Sequence, residues 1–143
     1  KTTNLTSKVT YSDNKNVGKA TAAATFSGSA NGFTYTVTKD YSFKIKPQKP
    51  TIKTPKRGKK KITVRWKNVR KQCSGYQIKL ATNSKFTKNV KTVKVKGLSK
   101  SQKLVKGLKA KKKYYIKLRS YKIATDGKTY YSAWSKVKTK RTK

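Results

Sequence analysis

Apolar and polar side chains alternate residue by residue along most of the chain, and this pattern limits the fold more than any other feature. Ile62, Val64 and Trp66 alternate with Thr63 and Arg65, so the apolar side chains of an extended strand would share one face. Similar strands are expected at 76–80, 93–95, 105–108, 114–118 and 134–137. No useful length of chain shows the helical period of 3.6 residues. The sequence therefore predicts an all-β fold.

Two short segments interrupt this alternation. Pro47 and Pro50 form a stiff, extended joint that neither a strand nor a helix would tolerate. Asp126-Gly127 favours a hairpin turn, because both residues tolerate positive φ. The expected organisation is a first unit at 1–46, a linker at 47–50 and a second domain at 51–143.

The first unit has its own apolar alternation. It begins with Val9 and Tyr11 and continues through the alanines of 20–26. Six further apolar residues share one parity: Phe33, Tyr35, Val37, Tyr41, Phe43 and Ile45. About 46 residues are too few for a comfortably stable core. We expect completion by upstream strands of the same unit, by the second domain or, the favoured option, by a strand from a neighbouring chain or copy.

The net charge is +37 at pH 7, from 40 Lys and Arg against three acidic residues. Only five of the 40 are Arg. Lysine is a strongly hydrated point charge, whereas arginine supplies the planar fork that reads bases. The composition therefore predicts diffuse attraction to a polyanion. It leaves the partner open between an anionic cell-wall polymer, an acidic glycan, anionic lipid and nucleic acid.

Residues for catalysis and metal binding are scarce. The chain has no His or Glu, and its three acids, Asp13, Asp40 and Asp126, lie in different segments. Cys73 is the only cysteine, so it has no disulfide partner within the chain. Without a His, the chain also has no proton-accepting base to activate this thiol. We therefore expect no enzyme, cofactor or metal site. No stretch has the apolar length needed to span a membrane.

An ordered set of motifs between about Pro50 and Lys140 resembles the fibronectin type III family. The set is Ile62-Thr63-Val64-Arg65-Trp66, Gly75-Tyr76-Gln77-Ile78, Gly107-Leu108 with Tyr114 six residues later, and Tyr130-Tyr131-Ser132-Ala133-Trp134-Ser135. It is most similar to the lysine-rich version on surface proteins of gut Clostridia. The resemblance implies a seven-stranded β-sandwich with Trp66 in the core and a tyrosine corner at Leu108 and Tyr114. It also implies an extracellular setting, either secreted or on a bacterial cell surface.

The first unit resembles part of a bacterial immunoglobulin-like repeat from the same kind of surface protein. The segments that carry this resemblance are VTYSDNKNVG at 9–18 and FKIKP at 43–47. Such repeats usually have further strands before the segment at Val9. The expectation is an incomplete immunoglobulin-like β unit ahead of the fibronectin-like domain.

The densest basic runs fall in loops that the fibronectin-like layout brings to one pole, together with the C-terminal segment. This convergence makes them a candidate polyanion contact, against the alternative that each is an ordinary solvated loop. The residues are Lys59, Lys60, Lys61, Lys111, Lys112, Lys113, Lys138, Lys140, Arg141 and Lys143.

A second candidate is structural. Tyr131-Ser132-Ala133-Trp134-Ser135 resembles the tryptophan–serine repeat of cytokine-receptor fibronectin domains, with Tyr in place of the first Trp. Lys117 and Arg119 point outward from the neighbouring strand by parity. We therefore expect a cation–π ladder with Arg119 against Trp134 or Tyr131.

These features favour a non-catalytic extracellular module that acts as a stalk, an adhesive or a fibre-assembly element. The alternative is a polyanion-binding domain whose ligand is nucleic acid. For that function, Tyr115, Tyr121 and Tyr130 are candidates for base stacking among basic residues. Ordinary cross-strand packing is the competing explanation for these rings and is preferred.

Overall fold

The structure, a computed structural model, describes residues 5–69 and 71–143, apart from the side chain of Ala30. Its described part contains eleven β-strands and no helix, which confirms the all-β prediction. The chain divides into two compact units, Lys1–Ile45 and Lys46–Lys143. The segment expected as a linker therefore groups with the second unit.

The first unit is an antiparallel three-stranded sheet in the order β1-β2-β3. Its strands are β1 (Leu5–Ser12), β2 (Gly18–Ala30) and β3 (Phe33–Ile45). Asn31 and Gly32 join β2 to β3 with φ of 51° and 81°, and two positive φ values are the signature of a type I′ hairpin. The alternation did predict the strands, but it gave no indication of this Asn-Gly turn.

The two faces of this sheet differ in chemistry. Cross-strand pairing places Val9 opposite Ala24, and Phe26 opposite Val37, so the apolar side chains of all three strands share one face. The opposite face carries hydroxyl pairs between β2 and β3, with oxygen–oxygen distances of 3.2 to 3.4 Å. The pairs are Thr25–Thr38, Ser27–Thr36 and Ser29–Thr34.

The second unit is a sandwich of two antiparallel sheets. One sheet has the order β4-β5-β8, from β4 (Thr51–Gly58), β5 (Lys61–Lys67) and β8 (Gln102–Val105). The other contains β7 (Lys91–Lys96), β6 (Gly75–Ala81) and β9 (Lys113–Ile123). Two short strands, β10 (Thr129–Tyr131) and β11 (Lys138–Arg141), both pair with β9.

The core lies between these two sheets. Trp66, Leu108 and Tyr114 are buried, as the resemblance implies. The alternating apolar residues of β6 and β9 are buried with them: Tyr76, Ile78, Ile116 and Leu118. The hydroxyl of Tyr114 accepts a 2.9 Å hydrogen bond from the backbone N–H of Lys109. This contact closes the predicted tyrosine corner onto the loop that precedes β9.

Three local predictions need correction. Residues 132–137, which include the whole of the strand expected at 134–137, leave the ladder and separate β10 from β11. Leu108 lies beyond β8. In the hairpin between β9 and β10, Gly127 has positive φ, but Asp126 does not. Instead, the Asp126 carboxylate accepts a 3.0 Å bond from the Lys128 N–H, as expected for an aspartate that bonds its own turn.

The linker is tied to the sandwich rather than free. The Ser120 hydroxyl donates a 2.6 Å hydrogen bond to the backbone carbonyl of Gln48. A further proline, Pro55, lies within β4, where the pairing with β5 shifts register between Lys53 and Lys56. A bulge in an edge strand accommodates the missing proline N–H.

Candidate polyanion-binding surface

The C-terminal segment after β11 holds the two basic loops at one pole of the sandwich. Lys143 donates a 3.0 Å backbone bond to Gly58 at the end of β4, and Lys60 donates one of 3.4 Å to Lys143. Leu108, just before the second basic loop, donates a 3.0 Å bond to the Lys60 carbonyl. The three basic elements are therefore linked through the backbone.

Thr142 connects this segment to the loop between β8 and β9. Its backbone N–H donates to the Lys112 carbonyl at 3.0 Å. Its hydroxyl accepts from the Lys112 N–H at 3.1 Å and donates to the Lys109 carbonyl at 2.7 Å. Arg141 adds a 3.0 Å bond from Nε to the Lys111 carbonyl. Thr142 is the buried centre of the arrangement, and sequence reasoning missed it because it is uncharged.

The charged side chains around this pole face solvent. Lys140 is half-buried, and the other nine candidate residues are exposed. A shallow groove of about 510 Å³ lies between the β8–β9 loop and β11, lined by Lys111, Lys113, Thr139, Lys140 and Arg141. Four of these five residues are cationic and none is acidic. The groove can therefore concentrate positive potential on a bound anion.

The predicted ladder residues lie elsewhere, on the outer face of the five-stranded sheet. The guanidinium carbon of Arg119 is 3.7 Å from the ring centroid of Tyr131 and 4.4 Å from that of Trp134. Lys117 Nζ is 4.8 Å from the Trp134 ring and 4.1 Å from the Phe86 ring. Burial lowers the pKa of both cations. The sequence did not predict the contact of Lys117 with Phe86, nor the hydrogen bond from Arg119 to Gln77.

Two serines hold the ring-bearing segment against β9. The backbone N–H of Ser132 donates to the Ser120 carbonyl at 3.1 Å, and its hydroxyl accepts from the Ser120 N–H at 3.1 Å. Ser135 repeats both bonds with Leu118, at 2.8 and 3.1 Å. Gln77 then fixes the guanidinium, accepting a 2.8 Å bond from Arg119 Nε. The ladder is therefore assembled from three neighbouring segments.

The tyrosines considered for base stacking are engaged in the fold. Tyr121 is buried and lies against Gly75, where an added Cβ would come within 2.8 Å of the tyrosine hydroxyl. The ring centroid of Tyr115 lies 5.3 Å from the Nζ atom of Lys113. Tyr130 donates a 2.8 Å bond to the Asp126 carboxylate. These three rings do not form one stacking platform.

Little other chemistry is available in the described part of the chain. Cys73 is buried, and burial raises the pKa of its thiol, which disfavours the reactive thiolate. Within residues 5–69 and 71–143, no three His, Cys, Asp or Glu side chains are grouped as a metal site would require. The same residues contain no helix long and apolar enough to cross a membrane.

Comparisons by sequence find neither a matching protein-family model nor a matching curated protein. Comparisons by structure do find similar folds. A myokine structure matches with a TM-score of 0.51 at 15% identity, over 67% of this chain and 97% of that one. The FN1–FN3 domains of chicken CNTN1 match with a TM-score of 0.57 at 16% identity, over 98% of this chain and 56% of that chain.

A β-1,2-glucanase from Parabacteroides distasonis also matches, with a TM-score of 0.52 at 19% identity. The match covers 85% of this chain but only 17% of the glucanase chain. The chain thus spans a small part of the glucanase and about half of the CNTN1 fragment.

The sheet order and the tyrosine corner define the second unit as an antiparallel β-sandwich. The likeness to the CNTN1 domains gives this sandwich a fibronectin type III-like fold. At such low identity the likeness concerns the fold alone.

Proposed function

We propose that the chain is a non-catalytic extracellular module of a bacterial surface protein, and that its basic pole binds an anionic cell-wall polymer or acidic glycan. The main support is the backbone linkage of three basic elements through Thr142 and Lys143. This linkage holds several cations around one groove without neutralising any of them. A linear polyanion would gain from that fixed geometry, because fewer side chains must be ordered on binding.

The composition of the pole favours recognition of repeated charge over recognition of bases. Arg141 is the only arginine among the ten candidate residues, and its Nε is already bonded to the Lys111 carbonyl. Lysine ammonium groups bind phosphate or sulfate as point charges. Of the three tyrosines considered for stacking, Tyr121 is buried and Tyr130 bonds Asp126, which leaves Tyr115 alone beside a groove lysine. Nucleic acid therefore remains the less favoured ligand.

A stalk or adhesive role requires no catalytic residues, and the chain offers few of them. Without His or Glu, it has no common pair of residues for general acid–base catalysis. The thiol of Cys73 is buried and donates a 3.1 Å hydrogen bond to the Gly75 carbonyl. We therefore assign no reaction to the chain.

Binding of three probes across a salt series tests this function: poly(glycerol phosphate) teichoic acid, heparin and duplex DNA. We expect affinity to fall with salt for all three because each association releases counterions. A site should keep a preference for teichoic acid or heparin at high salt. If the affinity for all three probes fell equally with salt and no preference remained, the pole would be a diffuse cationic surface and the proposed site would be wrong.

A matched pair of variants separates the groove from net charge. The site variant carries Lys111→Gln, Lys113→Gln and Lys140→Gln. The control carries Lys71→Gln, Lys100→Gln and Lys128→Gln, three exposed lysines in loops at the opposite pole. Both variants have three fewer positive charges. We expect only the site variant to reduce the slope of log K against log salt markedly, by roughly one for each phosphate that the protein no longer neutralises. Equal effects would contradict the proposed site.

A further inference from the structure

The apolar face of the first sheet has the shape of a trough. Its floor is the central strand β2, where the small residues Ala20, Ala22, Ala24 and Gly28 lie along the face and the larger Phe26 stands between the last two. Its walls are the larger apolar side chains of β1 and β3. One hollow in this trough has a volume of about 220 Å³, and its lining includes Leu5, Phe26, Gly28, Tyr35 and Val37.

The walls of the trough are exposed to an unusual degree. Leu5 is 73% exposed, Phe33 67% and Val37 64%. The remaining exposed apolar side chains of this face are Val9, Tyr11, Phe26, Tyr35, Tyr41 and Phe43. Three strands of up to 13 residues project an area of roughly 600 Å² at ordinary strand spacings, and side-chain relief adds to it. The whole face is thus smaller than the roughly 800 Å² per partner of a standard protein interface, so a dimer through it would be weak and concentration-dependent.

We propose that this face binds the same face of a second copy of the chain. The surface is self-complementary, since it offers both a trough and flanking ridges. An offset of one strand about a two-fold axis would seat the β3 ridge of each copy in the β2 trough of the other, forming an isologous interface. This contact involves β2 and β3 of each copy and leaves β1 at its edge. Two sheets packed in this way, about 10 Å apart, would bury the apolar side chains of β2 and β3 as a sandwich core does.

The charge distribution permits this pairing despite the net charge of +37. Residues 1–45 contain six lysines and two aspartates, a net charge of +4. Among the described residues of β1, β2 and β3, Lys39 is the only cation whose strand position places it on the apolar face, and its Nζ lies 5.6 Å from the ring centroid of Tyr41. Most of the repulsion between copies therefore comes from the 34 basic residues after residue 45. Salt screens exposed charges of this kind over about 8 Å at physiological ionic strength.

Salt dependence gives the first test, with the whole chain studied by analytical ultracentrifugation. We expect a monomer–dimer equilibrium that strengthens from about 50 to about 500 mM NaCl, because salt screens the repulsion and leaves apolar burial intact. Polyanion binding should weaken over the same range. The proposed dimer does not depend on polyanion binding, so either can fail alone. A monomer at every concentration and salt level would overturn it.

Two neighbouring positions on β3 give a matched pair of variants. Val37→Glu places a carboxylate on the trough wall, whereas Thr36→Glu places the same charge on the hydroxyl-bearing face. We expect Val37→Glu to weaken dimerisation by about tenfold or more, because the carboxylate would be buried in an apolar interface. Thr36→Glu should have little effect. Equal effects of the two variants would contradict the assignment of this face.

A third variant keeps the test valid if Val37→Glu disturbs folding. Ala24→Phe fills the trough with an apolar side chain and adds no charge, so it should also weaken dimerisation by blocking the ridge of the second copy. Backbone amide exchange in β2 then serves as the folding control. In the native chain, protection of β3, the strand seated on the second copy, should rise with protein concentration. Protection that is independent of concentration would count against the dimer.

Discussion

The hydroxyl of Thr142 donates a 2.7 Å hydrogen bond to the backbone carbonyl of Lys109, 33 residues earlier in the chain. This bond joins the C-terminal segment to the loop that carries the second basic run. It lies beneath exposed lysines in a position that is itself buried. Thr142 thus couples the local geometry of the basic pole to the stability of the sandwich.

Thr142→Val should remove this coupling while keeping the shape of the side chain. We expect a decrease of about 1–3 kcal/mol in the free energy of unfolding, because the Lys109 carbonyl and the Lys112 N–H are left without a buried partner. Urea unfolding followed by circular dichroism measures this decrease. Thr139→Val, at an exposed site on β11, is the control and should change stability by less than about 0.5 kcal/mol. Similar costs for both variants would show that the buried hydroxyl has no special role.

Arg119→Lys should weaken the ladder although the charge is retained. The planar guanidinium lies against two rings and also bonds Gln77, whereas an ammonium cannot stack in the same way. We expect a decrease in stability of about 0.5–1 kcal/mol for the half-buried contact. Arg65→Lys, on the other sheet, is the matched control. An unchanged unfolding midpoint for Arg119→Lys would mean that the stacking adds no net stability.

The hydrogen bond from Tyr130 to Asp126 should be visible in the titration of both groups. This bond, together with the Lys128 N–H, lowers the pKa of the Asp126 carboxyl below its ordinary value of 3.8. The same bond raises the pKa of the Tyr130 hydroxyl above 10.0. The bond therefore stabilises the folded state at pH values between the pKa of Asp126 and the pKa of Tyr130. Its contribution is lost as pH falls through the lowered aspartate pKa, or as pH rises through the raised tyrosine pKa.

Tyr130→Phe tests this link by nuclear magnetic resonance titration of the Asp126 carboxyl. We expect the pKa of Asp126 to move up toward 3.8. In the complementary Asp126→Asn variant, the pKa of Tyr130 should move down toward 10.0. A constant Asp126 pKa in Tyr130→Phe would refute the hydrogen bond in solution.

The two tryptophans should differ sharply in their effect on stability. Trp66 is 1% exposed and packs with its ring centroid 5.0 Å from that of Tyr76. Trp66→Ala should cost about 3–5 kcal/mol, which is enough to unfold a domain of marginal stability. Trp134→Ala, at a half-buried site, should cost less and leave the sandwich folded. Thermal unfolding by circular dichroism distinguishes the two, and a folded Trp66→Ala variant would contradict the core assignment.

The strands and the core could be predicted because single-residue alternation carries direct information about burial. Ile62, Val64 and Trp66 are each at most 1% exposed, as their parity indicates. Parity could not predict residues 132–137, where Ser132 and Ser135 each bond β9 through both the backbone N–H and the side-chain hydroxyl, in place of a regular ladder. Alternation alone also gives no indication of where a strand stops pairing.

The basic elements of the candidate surface could be named from their charge, but not the residues that hold them together. Thr142 has neither charge nor an unusual neighbour in the sequence, and its importance depends on contacts with residues 30 or more positions earlier. Gln77 is similar, since it meets Arg119 only through the pairing of β6 with β9. The Ser132 and Ser135 spacing was visible in the sequence, and a search for repeated hydroxyls could have found their role.

The segment between β10 and β11 contacts β9 at a residue spacing that differs from the spacing of its partners on β9. Ser132 and Ser135 are three residues apart but bond to Ser120 and Leu118, which are two residues apart. Tyr131 and Trp134 repeat at the same interval of three, the period of a polyproline II helix. A one-residue deletion between the rings would rotate one of them by roughly a third of a turn away from Arg119. Insertions or deletions of three residues in this segment should therefore be tolerated, because only they would keep the rings aligned with the cations.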